Sequence, residues 1–465
     1  MSNQENQSNF RDRLTTVNNE GKRAWVYAKE PKGILYRYRQ IIAYSMILFL
    51  ILAPFISLGG EQFILLNFLE RKFVIFGIIF WPQDFHLFVM ALISFIVFIV
   101  LFTVIYGRLF CGWVCPQTIF MEFVFRRIEW LIDGNYQQQR KLKEQAWNLK
   151  KITKRVVKHA LFYLFALIIT HSFLSYIIGV DQVKNLFIEG PGNNTGTFAG
   201  ILVFSGIFYF IFAWFREQVC TITCPYGRLQ GVMLDTNSMI VAYDYNRGEP
   251  RNVHNNNDPN SDCIDCRNCV TVCPTGIDIR NGTQLECINC TACIDACNSV
   301  MTRIKKPKGL IRIASEKSIR EGTIHKLNVR AIAYTILLAI LLAVVAFLFH
   351  IRTDIETTIL RAPGTLYQET EVAYTNLYNI EIVNKTRKKF PVSIKIHDGK
   401  GKLQMIGGDL CALRGELVKG MFIILIDKEE LSSSKNKVTL GVYSGEELIE
   451  EVPSTFVGPY SLDTY

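Results

Sequence analysis

Five apolar runs, at 41–58, 86–106, 156–180, 198–215 and 329–350, constrain this chain more than any other feature. A bilayer core is about 30 Å thick, so a helix needs roughly 20 apolar residues to cross it. Each run is near that length, and the sequence predicts five membrane-spanning helices. Only 20% of the 465 residues are charged and 49% are hydrophobic, which fits a membrane chain. With 12% aromatic residues, disorder is excluded.

Lys and Arg are distributed unevenly between the runs. Segment 1–40 has 8, 59–85 has 2, 107–158 has 11, 181–197 has 1 and 216–328 has 14. Cytoplasmic segments carry the excess of positive charge. The alternation therefore predicts the N-terminus, 107–158 and 216–328 in the cytoplasm and the C-terminal tail outside. The net charge of +10 is read as topology rather than nucleic-acid binding. Residues 1–40 are polar and basic without an apolar core, so the first span is expected to stay as an anchor. Residues 73–80 are apolar but too few to span, and are expected to be interfacial. Residues 117–131 place Phe120, Phe123, Val124 and Ile128 at helical spacing. They are expected to lie along the inner membrane surface, as a platform for the neighbouring cysteines or as a plain connecting helix.

Twelve of the 13 cysteines fall between Cys111 and Cys297. The densest part is Cys263-x2-Cys266-x2-Cys269-x3-Cys273-Pro274, followed by Cys287-x2-Cys290-x2-Cys293-x3-Cys297. This is the bacterial ferredoxin spacing, twice. Three close cysteines cover three corners of a cubane, and the fourth cysteine of each run serves the other cluster. One [4Fe–4S] cluster is thus expected on Cys263, Cys266, Cys269 and Cys297, and a second on Cys287, Cys290, Cys293 and Cys273. Asn298 stands where a second proline would complete the pattern. Zinc also binds C-x2-C pairs, but the doubled register favours iron–sulfur. Disulfides are disfavoured in a cytoplasmic stretch.

A second constellation repeats. Cys111-Gly-Trp-Val-Cys115-Pro116 follows span two, and Cys220-Thr-Ile-Thr-Cys224-Pro225 follows span four. Residues i and i+4 share a helix face, so each pair is expected to grip one metal ion. Two pairs together offer four soft ligands, which select Cu(I), Zn(II) or iron–sulfur centres. Arg108 and Arg216 precede the motifs and are expected to favour the thiolate form. The bland alternative is four small buried cysteines at helix ends. His86 and His171, near the outer ends of spans, are candidate ligands for haem or an entering metal ion. His159, at the inner end of span three, is a weaker one.

The tail 351–465 carries strand-like stretches at 377–383, 390–397, 420–426 and 437–443. They are separated by turn signals at Asp398-Gly399, Gly407-Gly408 and Ser432–Ser434. This predicts a β-sandwich of immunoglobulin type. Cys411 is alone there and is expected to be a small buried residue.

With these residues in hand, the chain resembles the FixG/RdxA/CcoG family of cytochrome c oxidase accessory proteins. The resemblance runs through CGWVCPQT (111–118), CPYGRLQ (224–230), YDYNRGEPR (243–251), CIDCRNCVTVCPTGIDIR (263–280) and CINCTACIDACNSVM (287–301), and on into the tail. It implies a bacterial inner-membrane iron–sulfur protein that reduces Cu(II) to Cu(I) for assembly of a cbb3-type oxidase. Its implied partners are the oxidase assembly machinery and copper chaperones or transporters, with no nucleic acid. The electron donor is left open. Two alternatives remain: a quinol-oxidising membrane ferredoxin relaying electrons to a partner reductase, and a non-enzymatic assembly factor. No G-x-G-x-x-G follows a strand, so a nicotinamide or flavin site of that type is not indicated.

The expected fold is a multi-domain membrane protein. A five-span α-helical membrane domain carries a cytoplasmic bis-[4Fe–4S] ferredoxin-like insert and a C-terminal all-β immunoglobulin-like sandwich. The expected divisions are a cytoplasmic segment 1–40, a four-span membrane domain 41–250, a ferredoxin-type domain 251–310, a linker and fifth span 311–350, and a periplasmic sandwich 351–465.

Overall fold

Twenty-residue apolar runs must satisfy every backbone N–H and C=O internally once in lipid, and a helix does so. Among the described residues, the computed structural model has five helices long and apolar enough to cross a membrane: Ile34–Phe55, Phe85–Tyr106, Leu149–Ile177, Thr195–Phe215 and Val329–His350. The first begins seven residues earlier than expected, and the third reaches back to Leu149. The described residues are 15–17, 20–70, 72–81, 84–251, 261–322, 329–352, 355–364, 366–385, 389–398, 400–408, 410–412, 417–431 and 433–459. The chain divides into two units, Met1–Ile56 with Phe88–Val344, and Ser57–Leu87 with Val345–Tyr465.

In the first unit the segment 181–197, expected to be a plain loop, contains a helix, Val180–Asn193, kinked at Gly190. Residues 117–131 differ more. They form one helical rod, Pro116–Phe120, a π-turn Met121–Phe125, and Arg126–Ile132. Phe120, Phe123, Phe125 and Ile128 are buried while Leu131 is 83% exposed; Glu122, Arg126 and Glu129 are buried too, with Arg126 only 1% exposed. The rod is therefore packed largely against protein. The charged face that reads as solvent-facing instead makes buried ion pairs. Arg126 meets Glu122 at 2.7 Å and Arg216 meets Glu129 at 2.9 Å. Phe125 stacks on Phe212 of the fourth helix at 4.5 Å and meets Phe162 of the third edge-on at 5.0 Å. Breaking one such pair would leave a buried charge uncompensated, at about 3–5 kcal/mol.

The ferredoxin-like stretch is closed at its base by a short antiparallel ladder, Ile240–Tyr243 against Ile311–Ala314. Val241, Tyr243, Ile277, Ile279, Ile294, Met301, Leu310 and Ile311 pack around its cysteines.

The tail of the second unit forms two antiparallel sheets among its described residues. One runs in the order Lys402–Ile406, Leu417–Asp427, Ala373–Asn384, Ile355–Arg361, with Gln368–Glu369 pairing Ala373–Asn384. The other runs Leu410–Ala412, Phe390–Asp398, Lys435–Ser444, Glu447–Val457. Alternate residues, including Tyr378, Ile380 and Ile382, with Phe422, Ile424, Leu440, Val442 and Phe456, form its core. Of the turn residues, Gly407 and Gly408 have positive φ, as such turns require. Gly399 and Ser432 lie outside the described residues. Cys411 is half-buried rather than fully buried.

Residues 73–80, expected to be interfacial, form strands. Lys72–Ile75 pairs with Ile64–Asn67 and Ile78–Phe80 in a three-stranded sheet. Seven β-branched and aromatic residues with a turn at Phe76-Gly77 suit such a hairpin. The same unit joins this loop to the tail: buried Asp84 accepts hydrogen bonds from Arg352 and Lys385, each at 2.7 Å.

Candidate metal centre

The two ferredoxin runs fold as a repeat. Positive φ occurs at Asp265 and Arg267 in the first, and at Asn289 and Thr291 in the second, two and four residues after the leading cysteine. Non-glycine residues there cost about 1–3 kcal/mol each and persist only where the surroundings impose them. Each loop curls around a small apolar cavity. One is lined by Cys263, Cys266, Cys269 and Cys297, with Tyr243, Leu310 and Ile311. The other is lined by Cys273, Cys287, Cys290 and Cys293, with Val241, Ile277 and Ile288. Cys269 touches both cavities. The crossing of Cys273 and Cys297 into the opposite run's cavity arises because each run continues into a helical turn that carries its last cysteine away.

These residues fit a [4Fe–4S] group. Among the described residues no three His, Cys, Asp or Glu side chains close on a single ion. Tetrahedral zinc at about 2.3 Å from sulfur would need thiolates only ~3.8 Å apart. A cubane places four irons between its ligands and wants the wider ring. Burial pushes the Cys269 and Cys287 thiols up to about 12 and the Cys290 and Cys297 thiols to about 11. Thiolates at these positions therefore need a cationic centre to face.

The C-x3-C-P motifs are not single helical faces, which corrects the expected geometry. Cys111 lies in the short helix Leu109–Trp113, and Cys115 is extended, capping the helix that Pro116 begins. Cys220 lies in a π-turn, Val219–Thr223, and Cys224 caps Pro225–Met233. Pro at the first helical position forces this break, because the residue before proline disfavours the α conformation. The thiols instead approach across the motifs. Cys115 is the nearest-acting thiol on Cys220, and both stand beside the Thr118 side chain. Burial, opposed only in part by Arg108, pushes Cys111 up to about 12; burial also pushes Cys220 to about 12. Arg216 does not serve the thiols, since its guanidinium is held by Glu129.

The first motif is seated directly on the second ferredoxin loop. A Cβ at Gly112 would stand 2.3 Å from the Ile288 carbonyl oxygen and 3.1 Å from the Cys290 backbone. Cys111 packs with Ile288, Cys290 and Cys293. The Trp113 indole N–H donates to the Asn289 carbonyl at 3.2 Å. Two buried arginines complete the seat. Arg39 donates from Nε to the Gly112 carbonyl at 2.7 Å. Arg108 donates to the Leu285 and Gly227 carbonyls. The Cys111 thiol donates to Gln230 Oε1 at 3.4 Å, and Gln230 is fully buried. Arg39, Thr118 and Gln230 were not singled out from the sequence. Gln230 stands in the CPYGRLQ motif, and Arg39 carries no local signal because its role depends on contact with Gly112, 73 positions away.

The histidines are not drawn into this centre. His86 is exposed and belongs to the second unit. In the first unit His171 directs Nδ1 to the Leu167 carbonyl at 2.7 Å, and His159 Nδ1 meets the Tyr209 hydroxyl at 2.9 Å.

Comparison with known proteins bears on the same segments. A 4Fe-4S dicluster domain model matches residues 215–316, and a 4Fe-4S binding domain model matches 87–134, which includes Cys111 and Cys115. The IG-like fold at the C-terminus of FixG matches 345–459. Protein RdxB of Cereibacter sphaeroides is 35% identical over 341 residues, 70% of this chain and 71% of RdxB. The chain belongs to the FixG/RdxA family of membrane 4Fe-4S proteins. As a FixG/RdxA protein it is also 34% identical to nitrogen fixation protein FixG of Rhizobium meliloti, over 63% of this chain and 58% of FixG. RdxA of Cereibacter sphaeroides matches at 34% over 54% of this chain and 53% of its own length. The matches thus span little more than half of FixG and RdxA. A crystal structure of a FixG-related protein from Vibrio parahaemolyticus aligns with 23% of this chain and 97% of its own, at 19% identity and a TM-score of 0.20.

Proposed function

We propose that this chain is an inner-membrane oxidoreductase that passes single electrons through two [4Fe–4S] clusters to Cu(II), supplying Cu(I) for assembly of a cbb3-type oxidase. The observation that carries this is the seat of the Cys111–Cys115 motif on the Ile288–Cys290 loop, because it packs the Cys111 thiol against residues that line a cluster cavity. Cys263, Cys266, Cys269 and Cys297 hold one cluster. Cys273, Cys287, Cys290 and Cys293 hold the other. When bound, the clusters supply one-electron storage at two adjacent points.

The residues of the chain do the rest. Cys115 and Cys220, both beside Thr118, with Cys111 and Cys224 near them, bind the copper substrate and prefer its reduced form, because thiolates select Cu(I). That preference makes reduction of Cu(II) downhill. Arg39 and Arg108 have no carboxylate partner among the described residues, so their charge favours the more negative, reduced state of the centre beside Gly112. Oxidase assembly machinery and copper chaperones or transporters are the partners this reading requires. Anaerobic purification should give about eight iron and eight labile sulfide per chain, as two [4Fe–4S] groups contain, with Cu(II) reduction on addition of reductant. Zinc with little sulfide would sink the reading.

The sidedness we propose puts the N-terminus and clusters in the cytoplasm and the tail in the periplasm. It is supported by contacts within each unit. The Lys/Arg-rich segments meet one another: Arg108 on Leu285, Arg126 on Pro274 at 3.3 Å, and the Tyr36 N–H on Asp295 at 2.8 Å. The Lys/Arg-poor segment 59–85 belongs to the unit that contains the tail. A reporter fused after residue 465 should be active in the periplasm, and one inserted between 252 and 260, outside the described residues, in the cytoplasm. The opposite pattern would move the clusters outside.

A further inference from the structure

Resting on that reading, we infer that electrons enter through a basic surface around Cys266, which docks an acidic one-electron carrier protein of the ferredoxin or flavodoxin kind. Cys266 is the exposed one of the thirteen cysteines; the others are buried or half-buried. It lines the cavity farther from the C-x3-C-P motifs, so it opens the relay at the end opposite the copper thiols. The centre that meets Cys111 is enclosed by Ile288, Ala292 and Val272 and offers no such edge.

The charge around Cys266 is one-sided. Arg267, the next residue, has a side chain 71% exposed and pairs with Asp265 at 3.8 Å, an acid that Arg280 also holds. The turn after the helix Ala292–Arg303 runs beside the same loop. Arg247 reaches the Pro307 carbonyl at 3.0 Å and the Lys308 carbonyl at 3.3 Å. It also holds Asp262 at 2.8 Å. Lys306 bonds to the Ser261 carbonyl. The acids here are already engaged: Asp262 by Arg247 and Lys306, and Asp265 by Arg280. Arg303, Lys305 and Lys308 are exposed and have no ion pair among the described residues. An exposed cluster edge with an excess of cations beside it favours an acidic partner and raises its rate of encounter. The transfer balances without a co-reactant. The carrier loses one electron, the centre held by Cys266 gains it, no bond forms or breaks and no proton moves. A hydride donor would bring two electrons and needs a site of its own.

The test uses the full-length, cluster-loaded protein in detergent. Reduction is followed by stopped-flow absorbance with a reduced acidic [2Fe–2S] ferredoxin as the probe. A photoreduced deazaflavin, which needs no docking, serves as the control reductant. The ferredoxin rate should fall steeply with salt. In the Arg267→Glu, Lys305→Glu, Lys308→Glu variant it should fall roughly tenfold or more at low salt. The deazaflavin rate and the iron content should stay as in the parent. A loaded variant whose ferredoxin rate is unchanged overturns the docking surface alone. So does a variant that loses only binding to anionic lipid vesicles, since the patch would then serve the bilayer. A parent protein without iron and sulfide would overturn the cluster reading first, and this inference with it.

Discussion

Serine at Cys111, Cys115, Cys220 and Cys224 together is expected to remove Cu(I) binding and to lower Cu(II) reduction by roughly 100-fold or more. Losing an outer partner of a metal ligand already costs about 10–100-fold, and the ligands themselves matter more. Serine is nearly the size of cysteine, so packing around Thr118 and Gln230 should survive. The visible spectrum and the iron content should remain those of the parent, because none of the four lines the ferredoxin cavities. Iron analysis decides a second point. A match to a 4Fe-4S binding domain covers Cys111 and Cys115; a loss of iron in the variant would assign these thiols to a cluster instead of copper. Full copper reduction with unchanged copper binding would return the four to small buried residues at helix ends.

Alanine at Gly112 is the second large effect, from the addition of one methyl group. Its Cβ would lie 2.3 Å from the Ile288 carbonyl oxygen and 3.1 Å from the Cys290 nitrogen. Neither neighbour is a flexible side chain, so the helix Leu109–Trp113 and the cluster loop must part. Overpacking of this kind costs about 1–3 kcal/mol, and backbone contact puts it at the upper end. The expected result is loss of about half the iron, with the cluster on Cys263, Cys266, Cys269 and Cys297 retained, and copper reduction abolished. Gly200→Ala is the control, since nothing lies within 4 Å of its Cβ position. It should keep full iron and activity. A Gly112→Ala protein with parental iron and electron transfer would show that the motif and the cluster loop are not functionally joined.

Several elements were legible before any coordinates. The five spans follow from run length, because lipid makes helix formation obligatory whatever the rest of the chain does. The fifth matches at both ends, and the largest shifts are at the starts of the first and third, where residues such as Tyr36, Arg39 and Lys151 extend the helix. The strands of the tail were visible through their period of two. The ferredoxin repeat was visible because cubane ligation dictates local spacing.

The short segments were only partly legible. The interfacial reading of residues 73–80 did not specify the strands they form, and residues 117–131 have a pattern that fits a surface helix, yet their charged residues Glu122, Arg126 and Glu129 are buried. Periodicity reports which face is apolar; it does not report that Arg126 and Glu129 will find Glu122 and Arg216 in the interior. The C-x3-C-P geometry was misread likewise, since i,i+4 reasoning assumes an unbroken helix and Pro116 and Pro225 break it.

The sequence by itself determined the spans, the alternation of charge between them, the sandwich and which cysteines belong to a cluster motif. All of these are written in local spacing, where lipid, pleat or iron imposes a fixed repeat. Only the tertiary structure decided that Gly112 sits on the Ile288 carbonyl, that Cys115 approaches Cys220 beside Thr118, that Arg39 and Arg108 are buried with no carboxylate partner among the described residues, and that Cys266 is the exposed cysteine. These depend on contacts between segments up to about 180 residues apart, and no local repeat encodes which distant surface a side chain will meet.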